Sequence, residues 1–196
     1  CGISGVVLAG GLGRRMGGID KGLHEFEGRP LVAWVIERMA PQVDELLINA
    51  NRNAERYAAF GHRVVADRIE GFAGPLAGLH AALAVARHPL VATVPCDSPF
   101  LPGDLVARLR TALDESGAEL AVARSLGRVQ PVFCLCRRTV LPALSEHLAA
   151  GGRRIERWLN SLPLVEVDFE DQPAAFANIN SRDDLQASAG LAAPPR

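Results

Sequence analysis

What most constrains this chain is a short apolar run that ends in a glycine-rich, cationic loop. Ile3 to Ala9 reads as a buried strand, and Gly10, Gly11, Gly13, Gly17 and Gly18 follow within nine residues. Arg14 and Arg15 lie inside the loop and Lys21 closes it. Glycine lets backbone N–H groups turn toward a ligand with no Cβ in the way. A nest of such amides backed by cations is a receptor for a polyphosphate; the plainer reading is a flexible turn.

Spacing excludes two familiar phosphate loops. A Walker A loop needs Lys followed by Ser or Thr, but Lys21 stands between Asp20 and Gly22. A dinucleotide fingerprint begun at Gly11 needs a third glycine where Met16 stands.

Length and composition narrow the class further. The 196 residues suit one domain with a sizeable core. A formal net charge of −1 gives no reason to expect a nucleic-acid or membrane-surface partner. No apolar run approaches the ~18 residues of a membrane span. The N-terminus lacks the basic-then-apolar pattern of a signal sequence, and the cysteine usage suits a reducing cytoplasm. Cys1, Cys96, Cys134 and Cys136 lack C-x-x-C spacing and read as free thiols, with Cys134 and Cys136 on one strand face.

Further along, Gly28-Arg29-Pro30 reads as a turn with Pro30 in the first helical turn, and helical spacing of Leu31, Val35 and Met39 carries a helix to about Ala40. Leu46-Leu47-Ile48 is a strand ending at Asn49-Ala50-Asn51, and Val64-Val65-Ala66 is one ending at Asp67. A second Gly/Pro loop, residues 71–78, opens an alanine-rich helix to about His88. Leu90 to Val94 is a strand that runs into Pro95-Cys96-Asp97-Ser98-Pro99, with a helix from near Asp104 to about Ser116. Strands follow at 119–123 and 131–136, separated by a polar loop at 124–130; then come helices near 138–150 and 153–161 and a strand at 164–169. Residues 1–186 form the expected domain, and the Ala/Gly/Pro-rich 187–196 the expected disordered tail. The repeat predicts a single-domain, three-layer α/β/α architecture with a mostly parallel, open, Rossmann-like sheet. Ligands in such sheets bind beyond the carboxyl ends of the strands, where the glycine loop, Asn49, Asn51, Asp67 and Asp97 all fall.

Each polar residue has two readings. Asp97, stiffened by flanking prolines, is either a Mg²⁺ ligand beside the phosphate cradle or a helix cap, for which Asp104 is better placed. Lys21 and Arg15 either bind phosphate or are solvated. Asp67 and Asn49 either read a base or ribose or simply form turns. The five histidines show no metal spacing.

At this point the residues resemble a known family. Leu8-Ala9-Gly10-Gly11 through Arg15-Met16-Gly17, with Asp20-Lys21, is similar to the signature of sugar-nucleotide pyrophosphorylase-type nucleotidyltransferases. Asn49-Ala50-Asn51-Arg52, Gly74-Pro75-Leu76-Ala77-Gly78, Pro95-Cys96-Asp97-Ser98-Pro99, Gln130-Pro131-Val132 and Asn178-Ile179-Asn180, in that order, resemble the molybdenum cofactor guanylyltransferase (MobA) family. Gly13 stands where many relatives carry a small hydroxyl residue.

The resemblance implies a nucleotidyltransferase fold and GMP transfer from GTP to molybdopterin or Mo-molybdopterin, with Mg²⁺ as cofactor. Molybdoenzymes or their chaperones would be later partners. It implies a GTP site of Leu8, Ala9, Gly10, Gly11, Lys21, Asn49, Asp67 and Asp97, with Asp97 also on the metal and Arg15, Lys21 and Asp97 as the catalytic set. Gly18, Gly78, Asn178 and Asn180 would lie near the phosphates or the pterin. A cytidylyltransferase, a sugar-1-phosphate nucleotidyltransferase and a non-catalytic molybdopterin carrier are the competing readings. For the pterin, the basic segments 124–130 and 151–154 are the expected surroundings.

Overall fold

The first strand, β1 (Ile3–Leu8), is the spine of the molecule, flanked on both sides by parallel partners. The structure, a computed structural model, describes residues 1–11, 20–71, 74–177 and 179. In chain order follow β2 (Glu25–Phe26), β3 (Arg29–Pro30), α1 (Leu31–Met39), β4 (Glu45–Asn49), α2 (Ala54–Ala58), β5 (Arg63–Val65) and α3 (Pro75–Val85). Then come β6 (Leu90–Pro95), α4 (Leu105–Ser116), β7 (Leu120–Ser125), β8 (Arg128–Arg137), α5 (Leu141–Ala149), α6 (Ile155–Leu159) and β9 (Leu164–Asp168).

The main sheet runs β5-β4-β1-β6-β8-β7-β9, and every pairing is parallel except those of β8, which is antiparallel to both β6 and β7. Two apolar layers cover it. On one face α1 and α4 pack through Val32, Val35, Met39, Leu105 and Leu109 against Val7, Ile48 and Val94. On the other, Leu76, Leu79 and Leu83 of α3, Leu144 and Leu148 of α5 and Trp158 of α6 meet Val6, Leu47 and Val91. The consecutive strand residues Val6 and Val7 point to opposite layers because successive Cβ atoms alternate across a sheet. Cys134 and Cys136 share the second layer, and all four cysteines are free. Among the described residues no helix is long and apolar enough to cross a membrane.

Several expectations need correction. Pro30 sits just ahead of α1, and Arg29–Pro30 pairs with Glu25–Phe26 in a two-stranded ribbon. The alanine-rich helix ends at Val85 rather than His88, as the chain turns toward Pro89, which disfavours helix in the residue before it. The polar stretch 124–130 is not a loop. β7 and β8 extend to a two-residue turn at Leu126-Gly127, both at positive φ (56° and 69°), as a tight hairpin twist requires. Arg124 and Arg128 read as loop because both are exposed, one on each face of the ribbon. Asp104 precedes α4 but makes no side-chain cap; it accepts from Gln172 (3.1 Å) and faces Arg108 (3.6 Å). The expected tail lies outside the described residues.

Candidate functional site

The carboxyl ends of β5, β4, β1 and β6 are laced together one step beyond the strands. Ala9 N–H donates to the Asn49 carbonyl (2.8 Å), Ala50 N–H to Val65 (3.1 Å) and Cys96 N–H to Leu8 (3.1 Å). The polar residues that follow each strand are therefore held along one edge.

One group forms around Asp67. Its Oδ1 accepts from Asn49 Nδ2 (2.8 Å) and its Oδ2 from Asn51 Nδ2 (2.9 Å), while its own N–H donates to Asn51 Oδ1 (2.8 Å). Asn49 is 2% exposed, and its amide also donates to the Val65 carbonyl (3.1 Å). With both its protons committed, Asn49 turns Oδ1 toward Gly10 and Gly78. A Cβ on Gly10 would stand 2.9 Å from that oxygen, and one on Gly78 would overlap both it and Leu8 Cδ2. Asn51 reaches the Gly10 carbonyl (3.3 Å), and Arg52 the Gly11 carbonyl (3.4 Å). The structure thus gathers Leu8, Ala9, Gly10, Gly11, Asn49, Asp67 and Gly78. Asn51, expected at the same strand end, joins them through Asp67.

The second group is Asp20, Lys21 and Asp97. Lys21 Nζ lies 3.6 Å from Asp97 Oδ2, and the Asp97 side chain is 11% exposed. Burial raises the Asp97 pKa, and the Lys21 ammonium and a backbone hydrogen bond only partly offset it. A carboxylate held against desolvation in this way gains from any added cation. The Asp97 carbonyl accepts from Ile179 N–H (2.9 Å), and Ile179 is fully buried with Phe26 and Leu31. The candidate residues Arg15, Gly18, Asn178 and Asn180 lie outside the described residues.

Within the segments expected around a pterin, several groups make internal contacts. The amides of Leu126 and Gly127 bind the Glu170 carboxylate (3.0 and 2.8 Å), Arg124 pairs with Glu166 (3.2 Å), and Arg153 caps the Leu148 carbonyl (3.1 Å).

Residues 5–166 match the MobA-like NTP transferase domain. The chain belongs to that family. Over 190 residues it is 51% identical to the molybdenum cofactor guanylyltransferase of Cupriavidus taiwanensis, covering 94% of this chain and 95% of that one. Among solved structures it is similar to the molybdopterin-guanine dinucleotide biosynthesis protein A of Archaeoglobus fulgidus, with a TM-score of 0.82 at 24% identity over 96% and 97% of the two chains. It is also similar to the manganese complex of Rv0371C from Mycobacterium tuberculosis, with a TM-score of 0.69 at 20% identity over 95% and 97%. This MobA-like fold is the single-domain α/β architecture with a mostly parallel sheet that the strand pattern predicts.

Proposed function

We propose that the chain transfers GMP from GTP to the terminal phosphate of molybdopterin or Mo-molybdopterin, releasing pyrophosphate and forming the guanine dinucleotide cofactor. Half-identity to a guanylyltransferase over nearly the whole chain supports the reaction class. The observation that carries the site is the pairing of two groups along one sheet edge. The acceptor-rich Asn49–Asp67 bracket lies beside the Gly10–Gly78 cradle, and Lys21 lies beside Asp97.

Asp67, held in place by Asn49, offers acceptors to the guanine edge or the ribose. Leu8, Ala9, Gly10 and Gly11 line the nucleotide, with the Gly10 and Gly11 amides toward phosphate. We assign Gly18, Gly78, Asn178 and Asn180 to the phosphates or the pterin. The nucleophile is a phosphate oxygen, ionised near neutral pH, so no general base is required. The barrier is the approach of two anions, and positive charge and positioning lower it. Lys21 and Arg15 neutralise charge that develops on the departing pyrophosphate.

No cluster of three or more His, Cys, Asp or Glu side chains gathers among the described residues. A single buried carboxylate nevertheless suits Mg²⁺, which takes one or two carboxylates and completes its shell with phosphate oxygens and water. Asp97 is the residue that would hold it. When bound, the ion supplies charge neutralisation at the α- and β-phosphates. Buried free thiols and consumption of GTP fit a cytoplasmic setting, and molybdoenzymes or their chaperones are the partners we assign to the product. The catalytic unit takes in residues 1–186.

Calorimetry with GTP, CTP, ATP and UTP, with Mg²⁺ and then with it chelated, tests this reading. GTP should bind selectively and more tightly with the ion. A preference for CTP would move the assignment to a cytidylyltransferase, and no nucleotide binding would remove it.

A further inference from the structure

Twenty of the 21 Lys and Arg residues in this chain are arginine; the one lysine is Lys21. A lysine ammonium is a point charge on a flexible four-carbon stem, so its use depends on how its backbone is aimed. Here the residues on both sides of Lys21 meet a single side chain. Before it, Asp20 accepts from the Tyr57 hydroxyl through Oδ1 and from Asn53 Nδ2 through Oδ2 (3.0 Å). After it, Gly22 lies so close to the same ring that a Cβ there would stand 2.5 Å from the Tyr57 hydroxyl oxygen and 3.2 Å from Cε1. Between them the chain makes a short 3₁₀ turn, with Leu23 N–H to the Asp20 carbonyl and His24 N–H to that of Lys21 (both 3.1 Å). Tyr57 is fully buried on α2. Burial, reinforced by Cys96 and Asp20, keeps its hydroxyl protonated and therefore a donor.

We propose that Tyr57, assisted by Asn53, is the positioning residue for Lys21. Its hydroxyl pins Asp20 on one side of the lysine and its ring sets the distance of Gly22 on the other, delivering the ammonium to Asp97. Residues 49–57 thereby serve both halves of the site: Asn49 and Asn51 hold Asp67, and Asn53 and Tyr57 hold the lysine turn. The inference rests on the reading of Lys21 as a phosphate ligand.

The test compares wild type with Tyr57→Phe, Gly22→Ala and the double variant. Two readouts are used: GTP- and molybdopterin-dependent pyrophosphate release, and acylation of Lys21 by an amine-reactive succinimidyl ester. Peptide mapping is straightforward with one lysine, and the N-terminal amine serves as internal reference. Tyr57→Phe keeps the ring and deletes the donor. It should lower kcat about 10- to 100-fold, change KM for GTP less than kcat, and alter the rate of Lys21 acylation. Gly22→Ala should act in the same direction. The double variant should lose less than the product of the two single losses, because the oxygen contact is gone and only the ring carbons at 3.2–3.3 Å remain. Asn53→Gly, which preserves the left-handed backbone at φ 53°, should show a smaller loss of the same kind and decides the matter if Tyr57→Phe folds poorly. Wild-type kcat and wild-type acylation in Tyr57→Phe would overturn the proposal, as would penalties that simply add in the double variant. If wild type itself releases no pyrophosphate, the guanylyltransferase reading fails, while the acylation rates still decide whether Tyr57 places Lys21.

Discussion

Asp97 carries two opposed demands, and they can be separated by measurement. Burial raises its pKa, so the folded chain binds the proton more tightly than the unfolded chain does. The associated stability is complete below the ordinary carboxylate range and is lost as pH rises through the folded-state value. Without nucleotide and with divalent ions chelated, Asp97→Asn should therefore melt higher than wild type at neutral pH, and the gain should vanish in acid. The same substitution should lower turnover on the order of 10²-fold or more, as loss of a charge-stabilising group does. Thermal unfolding across pH and steady-state assays check the two halves; a variant with normal turnover would remove Asp97 from the metal role. Much of this residue-scale picture is legible in the sequence, because Asn49, Asp67 and Asp97 each interrupt an apolar strand at its end. Tyr57 is not legible. A lone aromatic on a short polar helix carries no periodic signal, and only the fold brings it to Asp20.

At the scale of elements, the sensitive joint is the close approach of α3 to the end of β4. Gly78 lies in the second turn of α3, against Asn49 Oδ1 and Leu8. Gly78→Ala should push Asn49 aside and disturb the Asp67 bracket with it. The expected result is at least about a 10-fold loss of GTP affinity by calorimetry, together with about 1–3 kcal/mol of stability lost to overpacking. Gly10→Ala should be milder, since its neighbours at 2.9–3.0 Å are the ends of two asparagine side chains. The helices and parallel strands are readable from their apolar periodicity, whereas the β7–β8 hairpin is not. Its outer half presents Arg124 and Arg128 to solvent, and its register shifts between Val122 and Ala123, so the period-two pattern breaks where the ribbon continues. The antiparallel direction of β8 is likewise hidden, since a strand buried on both faces shows no directional pattern.

Across the whole molecule, the two apolar layers seal three of the four thiols. Burial raises the Cys134 pKa to about 11 and those of Cys96 and Cys136 well above the usual thiol value, while Cys1 is exposed. The native chain should consume one equivalent of a thiol reagent at mildly alkaline pH and four after denaturation. More than one in the native state would mean that a layer opens. The layered architecture itself is legible from composition and strand spacing, because alternating apolar strands and helices leave few other ways to bury both faces of a sheet. The segment around Ile179 is singled out in the sequence by resemblance alone, because it joins Asp97 through a backbone hydrogen bond that leaves no side-chain signal. That closure sets a timetable. Asp97 leaves the ribosome about 80 residues ahead of Ile179, and at ~5–20 residues per second the gap is roughly 4–16 seconds. During that interval β1, β4, β5 and β6 are already made, while the Asp97 carbonyl has only water to satisfy it. Assembly of the site waits for Ile179, and a chain stalled before it would lack the hydrogen bond that locks the Asp97 turn.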